Sequence, residues 1–128
     1  MTTELSLEGN VLFIGGSTAF DYNKGQAIIQ AVNFNKKLSY ITDNLMSEAE
    51  NLFVSKIKRI DSTNKILVAT SKSIYIYLFK NHLFNFITII QNLLPGGECM
   101  VDMALHNTNL FVLPSKSKTI HQIEFATG

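Results

Sequence analysis

Two stretches of this 128-residue chain follow the same order of polar and apolar residues. Residues 64–79 read NKILVATSKSIYIYLF, and residues 108–125 read TNLFVLPSKSKTIHQIEF. Each begins in a polar turn, enters an apolar run, crosses the tripeptide SKS and enters a second apolar run. When Lys65 is placed on Asn109, the first apolar runs and the SKS tripeptides coincide without a gap. A structural unit that occurs twice constrains the fold more than any single residue does.

Other segments of the chain match at nearly the same spacing. Residues 38–42 (LSYIT) and 84–88 (FNFIT) share the order apolar, small polar, aromatic, Ile, Thr, and they lie 46 positions apart. Residues 5–14 repeat the run, turn, run order around Gly9 and Asn10. The spacing of about 45 residues therefore predicts three repeat units, approximately residues 3–42, 54–90 and 100–125, within a single domain of residues 1–128.

Each unit is predicted to contain short β-strands. The runs are rich in Ile, Val, Phe and Tyr, which favour strands, and the segments between them carry Gly and Asn, which favour turns. The third unit stops one strand short of the other two, and the expected fold is all-β, with antiparallel four-stranded sheets. The predicted strands are residues 3–7, 11–15, 27–34, 38–42, 54–61, 65–70, 73–79, 83–90, 100–106, 109–113 and 119–125.

A compact α+β domain of the longin or profilin type is the alternative. Residues 44–53 and 84–94 would then form helices, because apolar residues from position 83 to position 94 also fit a period of 3.6 tolerably. Such a domain would act as an adaptor that binds other proteins.

Units of about 45 residues with four short strands resemble the blades of a divergent WD40-like β-propeller. The resemblance covers nearly the whole chain as just under three blades, and it rests on strand order and spacing. The Gly-His pair that often opens a WD40 repeat is absent. The Trp-Asp pair that often ends the third strand is also absent. At the corresponding positions, residues 33–34 read NF, residues 78–79 read LF and residues 124–125 read EF. The resemblance implies an incomplete ring.

An incomplete ring exposes strand edges and blade faces, which invite pairing with other chains. We therefore expect a protein–protein interaction scaffold, completed by further chain, by copies of itself or by a partner protein. A propeller-based hydrolase stays open as a further alternative, because propellers carry many functions. The candidate interface residues are Ile120, Ile123 and Phe125 at the edge of the third unit, and Leu5 and Leu7 in the first.

The remaining side chains indicate little catalytic or ligand chemistry. The net charge is +1 and Arg59 is the only arginine, so nothing favours nucleic-acid binding. Cys99 is the only cysteine, which excludes an intrachain disulfide and a zinc site of several thiolates. We predict no enzyme activity, no catalytic, cofactor-binding or metal-binding residues, and no small-molecule substrate.

The termini and apolar runs bear on location. The first ten residues, MTTELSLEGN, contain two glutamates and no long apolar stretch, so a signal peptide is not expected. The longest apolar run, residues 83–94, is too short for a membrane span and contains Asn and Gln. These features predict a cytoplasmic protein, with the nucleus as the alternative.

Overall fold

The computed structural model describes residues 1–18, 25–34, 39–45, 53–60, 62–70, 73–91, 100–107, 109–116 and 120–124. Within these ranges the chain forms eleven β-strands and no helix. The strands are β1 (Thr2–Leu5), β2 (Val11–Ser17), β3 (Ala27–Asn33), β4 (Ser39–Leu45), β5 (Val54–Arg59), β6 (Lys65–Thr70), β7 (Ile74–Lys80), β8 (Leu83–Ile90), β9 (Met100–His106), β10 (Asn109–Pro114) and β11 (His121–Glu124).

The strands form three antiparallel sheets in which neighbours in sequence are neighbours in space. The first sheet contains β1 to β4, the second β5 to β8, and the third β9 to β11. The all-β antiparallel prediction is confirmed. The helix predicted by the alternative fold at residues 84–94 is wrong, because the described part of that stretch is strand β8 and the exposed residue that follows it. Of the other predicted helix, residues 44–45 belong to β4 and residues 46–52 lie outside the described residues.

The turn between β7 and β8 shows how short polar segments set the strand register. Asn81 and His82 both have positive φ angles, 56° and 60°, as a two-residue hairpin turn that matches the strand twist requires. The side-chain amide of Asn85 donates to the backbone carbonyls of Leu78, Lys80 and Leu83 at 3.2 Å. The turn and this amide together hold the two longest strands of the second sheet in register.

The second sheet lies between the other two, and its central strands β6 and β7 are buried on both faces. In β6, Ile66 and Val68 point toward the first sheet, while Leu67 and Ala69 point toward the third, and all four are fully buried. This explains why the run IYIYLF in β7 is apolar at almost every position rather than at every second one. The first core contains Val11, Phe13, Ala27, Ile29, Ala31, Val54, Ile57, Ile66, Val68, Tyr75, Tyr77 and Phe79, and the second contains Ile60, Leu67, Ala69, Ile74, Ile76, Met103, Leu110 and Val112.

Successive sheets meet most closely through their first strands. Strand β5 contacts both β1 and β9, while β4 of the first sheet lies beside β8 of the second. Strand β5 also packs against β2, where a Cβ atom added to Gly15 would lie 2.5 Å from Cγ1 of Val54. The first two sheets therefore approach to a distance at β2 that only a glycine permits.

Candidate interaction surface

The face of the first sheet that is turned away from the second sheet is the strongest candidate for a binding surface. We call it the outer face of the first sheet. Side chains alternate along β2, so Phe13 enters the first core while Leu12 and Ile14 point the other way. The strand register then places residues on the same face by pairing Leu5 with Leu12, Leu12 with Val32, Ile14 with Gln30, and Gly16 with Ile28. Its described side chains are those of Thr3, Leu5, Leu12, Ile14, Ile28, Gln30 and Val32.

The described part of this outer face is mainly aliphatic, and its residues belong to neither core. Leu5 is 43% exposed, and the four aliphatic residues of β2 and β3 are half-buried. By contrast, Ile66 and Val68, which lie on the corresponding face of the second sheet, are fully buried by the first sheet. The first sheet therefore carries the same kind of face that the chain covers elsewhere with a neighbouring sheet.

The hairpin that joins β1 to β2 contains the predicted interface residue Leu7. The predicted strand runs to Leu7, but β1 ends at Leu5, because Ser6 turns the chain and its hydroxyl accepts a hydrogen bond from the backbone N–H of Val11. Leu7 is 47% exposed, and its backbone N–H donates to Oδ1 of Asn64 at 2.7 Å. The hairpin thus exposes the apolar side chain of Leu7, while its backbone is hydrogen-bonded to the turn between β5 and β6.

Polar groups hold this hairpin in place. The side-chain amide of Asn64 donates to the Glu8 carboxylate at 3.0 Å, and this hydrogen bond is the main reason why the pKa of Glu8 is lowered from its ordinary value. A hydrogen bond with its own backbone N–H and the charge of Arg59 act in the same direction. Arg59 donates two hydrogen bonds to β1. Its backbone N–H donates to Glu4 Oε2 at 3.1 Å, and its side-chain Nε donates to the carbonyl of Leu5, also at 3.1 Å. The only arginine of the sequence therefore joins the first sheet to the second.

The candidate residues at the end of the chain lie in different surroundings. Ile120 precedes β11 and is 59% exposed. Ile123 is half-buried and packs against the second core, so its side chain supports the third sheet. Phe125 lies outside the described residues. In the described part of the chain β11 is hydrogen-bonded only to β10, which leaves its other edge as a place where a strand could pair.

The structure does not bring the two groups of candidates together. Leu5 and Leu7 belong to the first sheet and its hairpin, whereas Ile120 and Ile123 belong to the third sheet and the residue before it, on the other side of the second sheet. The four candidates that the structure describes therefore lie in two separate parts of the fold.

Sequence reasoning missed Leu12, Ile14, Ile28 and Val32, which form most of the outer face. A signal was available, because the run VLF in β2 and the run AII in β3 are apolar at consecutive positions. In a strand, consecutive apolar residues point to opposite faces, so both faces of such a sheet are suited to burial.

Sequence reasoning also missed the exposed apolar residues of β8. Leu83, Phe86 and Ile87 are exposed. The ring of Phe86 lies 5.9 Å from that of Tyr77 and 6.4 Å from that of Tyr75, in edge-to-face geometry. These contacts link Phe86 to the aromatic part of the first core, so its ring has a structural role at the rim of that core.

The described residues bear on metal binding and on membrane spans. Within them, no group of three or more His, Cys, Asp or Glu residues could hold a metal ion, and no helix is long and apolar enough to cross a membrane. Cys99 lies outside the described ranges. Burial raises the pKa of Tyr77 to about 12, with a smaller contribution from the charge of Tyr75. That shift marks Tyr77 as part of an apolar core.

Comparison of the chain with protein-family models and with curated proteins finds no match. The resemblance to a WD40-like propeller stays a prediction from strand order and spacing.

Proposed function

We propose that this chain is a protein–protein interaction scaffold built from propeller-type blades, and that the outer face of its first sheet binds a partner protein. The observation that carries the proposal is the contrast between equivalent faces. The outer face of the first sheet has five aliphatic residues and, among the described side chains of β1 to β3, no charged one. The matching faces of the second and third sheets are covered by other sheets of the chain.

The arrangement of the three sheets supports the propeller part of the proposal. Each sheet is a meander in which the strand order follows the chain. The first strands β1, β5 and β9 form a continuous row of contacts, and the outermost strands β4 and β8 also lie side by side. Blades stacked around an axis meet in this way, with first strands next to first strands and fourth strands next to fourth strands.

The size of the apolar face indicates how a partner would bind. Full burial of one exposed aliphatic side chain stabilises by about 1.5–3 kcal/mol, and four of the five residues here are already half-buried. Covering the face would therefore contribute about 5 kcal/mol, which is near the lower end of the estimated cost of association, about 4–15 kcal/mol. A stable complex needs further contacts, and Leu7 and the polar residues Thr3 and Gln30 lie where such contacts would form.

A matched pair of variants tests this proposal. Ile14→Glu places a carboxylate in the middle of the outer face of the first sheet. Ala104→Glu places the same group on an exposed position of the third sheet. Both proteins and the wild type are immobilised, and the proteins captured from a cell extract are quantified by mass spectrometry after circular dichroism has verified folding. We expect the wild type and Ala104→Glu to capture the same specific partners. We expect Ile14→Glu to lose them. Equal capture by all three proteins would refute the proposal.

A second contact belongs to the same proposal: a partner strand would extend the third sheet beside Ile120, at the edge of β11 that pairs with no described strand. A cytoplasmic or nuclear location and the absence of catalysis also belong to it and rest on the sequence alone.

A further inference from the structure

Strand β8 forms one edge of the second sheet, and its middle is exposed on both faces. Among the described strands it is hydrogen-bonded to β7 alone. Phe86 pairs with Tyr77 of the first core, and Thr88 pairs with Ile76 of the second core, so Phe86 and Thr88 lie on opposite faces of the sheet. Both are exposed. The middle of β8 is therefore uncovered on both faces and pairs with no described strand along its outer edge.

The exposed side chains of β8 are mostly apolar. Leu83 is 56% exposed, Phe86 57% and Ile87 43%. The ring of Phe86 contacts the rings of Tyr75 and Tyr77 and keeps more than half of its surface outside the core. Ile87 has no residue opposite it in β7, because the register shifts at this point. Such a group of apolar side chains is typical of a surface that another protein covers.

Strand β8 also lacks the charged residues that protect the edges of sheets. No Asp, Glu, Lys or Arg occurs between Lys80 and Glu98, which is the longest such interval in the chain. Charges on an edge strand oppose pairing with another chain, because pairing would remove them from water. The strands at the other edges of the three sheets each carry at least one charged residue: Glu4 in β1, Asp43 in β4, Lys56 in β5, Asp102 in β9 and Glu124 in β11.

We infer that two copies of this chain pair through their β8 strands, so that two four-stranded sheets become one antiparallel sheet of eight strands. A two-fold contact places each residue of the edge near the same residue of the second copy. An edge without charges meets its own copy with no repulsion between like charges. The net charge of the whole chain is only +1, so repulsion between two copies is also weak at long range. The contact occupies the β8 edge of both copies, so association stops at the dimer.

The hairpin end of β8 determines where the two-fold axis lies in this dimer. Residues 83–86 pair with β7 in unbroken register, so their outward backbone groups have the regular spacing that another strand needs. An axis beside Asn85 places Phe84 opposite Phe86 of the second copy, and aromatic pairs of this kind stabilise antiparallel strands. The side-chain amide of Asn85 donates to three carbonyls of its own hairpin, so Asn85 keeps hydrogen-bond partners when water is displaced.

Sedimentation of the wild type and of matched lysine variants tests the dimer. Ile87→Lys places an ammonium group at the contact, and we expect its dissociation constant for the dimer to be at least about tenfold higher than that of the wild type. Leu113→Lys is the matched control, because Leu113 is 41% exposed on the third sheet and the change adds the same charge. Ile14→Glu alters the outer face of the first sheet. Both Leu113→Lys and Ile14→Glu should dimerise like the wild type.

Hydrogen exchange supplies a measurement of the backbone itself. In the wild type, exchange of the amides of residues 83–88 should slow as the protein concentration rises, because pairing protects the amides at the outer edge. In Ile87→Lys this dependence on concentration should be lost. Circular dichroism verifies folding, and Thr88→Lys, at an exposed position on the other face of the strand, is the second variant.

A wild-type dimer that both β8 variants weaken, with protection of β8 that depends on concentration, supports the inference. Wild-type protein that stays monomeric up to about 1 mM overturns it. A dimer that folded Ile87→Lys and Thr88→Lys proteins leave unchanged also overturns it, as do species larger than a dimer. The contact is separate from the outer face of the first sheet and does not depend on the proposed function. The proposed function fails separately, when captured partners do not depend on Ile14.

Discussion

The closest approach between the first and second sheets gives a sharp test of the fold. Gly15→Ala adds a methyl group whose nearest neighbours would be Cγ1 of Val54 at 2.5 Å, Cβ of Val54 at 2.9 Å and Cδ1 of Ile57 at 3.0 Å. Val54 is buried and branched at Cβ, so it has little freedom to rotate away. The two sheets must therefore move apart or their side chains must leave their preferred rotamers.

The expected size of the effect follows from two opposing contributions. Overpacking of a filled core costs about 1–3 kcal/mol. Replacement of glycine by alanine restricts the unfolded chain and stabilises by about 0.4–1 kcal/mol wherever the new side chain fits. Gly16→Ala is the matched control, because no atom lies within 4 Å of its added Cβ. We expect Gly15→Ala to lower the free energy of unfolding by about 1–2 kcal/mol and Gly16→Ala to raise it by about 0.5 kcal/mol.

Urea unfolding followed by far-ultraviolet circular dichroism measures both variants, and it suits a chain that contains no tryptophan. The double variant Gly15→Ala/Val54→Ala removes Cγ1 of Val54, so the two changes should couple favourably by at least about 0.5 kcal/mol. Equal stabilities of the Gly15→Ala and Gly16→Ala proteins would refute the close packing of β2 against β5, and with it the stacking of the first two sheets.

Three further changes probe the core and its polar boundary. Phe13→Ala removes a fully buried ring that lies 5.0 Å from the ring of Phe79, so urea unfolding should show a loss of about 3–5 kcal/mol, whereas Leu5→Ala at the exposed face should cost less than about 1 kcal/mol. The folded state favours the neutral phenol of Tyr77, because its pKa is raised to about 12. Its contribution to the free energy of unfolding is therefore complete below the ordinary pKa of about 10, and it falls by about 2–3 kcal/mol as the pH rises to 12. Tyr77→Phe should remove this alkaline loss in unfolding measured at each pH. The folded state favours the ionised carboxylate of Glu8, because its pKa is lowered. Its contribution to the free energy of unfolding is therefore present above the ordinary pKa and is lost as the pH falls through the lowered pKa of the folded state. Asn64→Ala should raise the pKa of Glu8 toward its ordinary value in a titration followed by nuclear magnetic resonance, and an unchanged pKa would show that Asn64 is not the cause.

Several strands were predictable because their signals are local. The predicted ranges 65–70, 83–90 and 100–106 coincide with β6, β8 and β9. In each, apolar residues and a polar turn at one end define the strand without reference to the rest of the chain. The end of β1 was misjudged by two residues, because the turn depends on a hydrogen bond from the backbone of Val11 to the hydroxyl of Ser6. Such a contact between a side chain and a later residue leaves no clear pattern in the sequence.

The candidate surface was only partly predictable. Leu5 and Leu7 were predicted as interface residues, and both side chains are exposed. Leu12 and Ile14 were read as ordinary strand residues, because a sequence shows which residues share a face and not whether another sheet covers that face. Ile123 was grouped with Ile120 at a strand edge, and the structure packs it against the second core.

The sequence by itself determined the all-β class and the division of most of the chain into short antiparallel strands, because alternation and turn chemistry act over a few residues. Only the tertiary structure decided which apolar faces are covered, how closely β5 approaches Gly15, and that Arg59 joins two sheets through the carbonyl of Leu5. It also decided the contrast between Ala69 and Leu113, one buried under β9 and the other exposed. These properties depend on what lies across a sheet, and residues that meet there are distant in sequence.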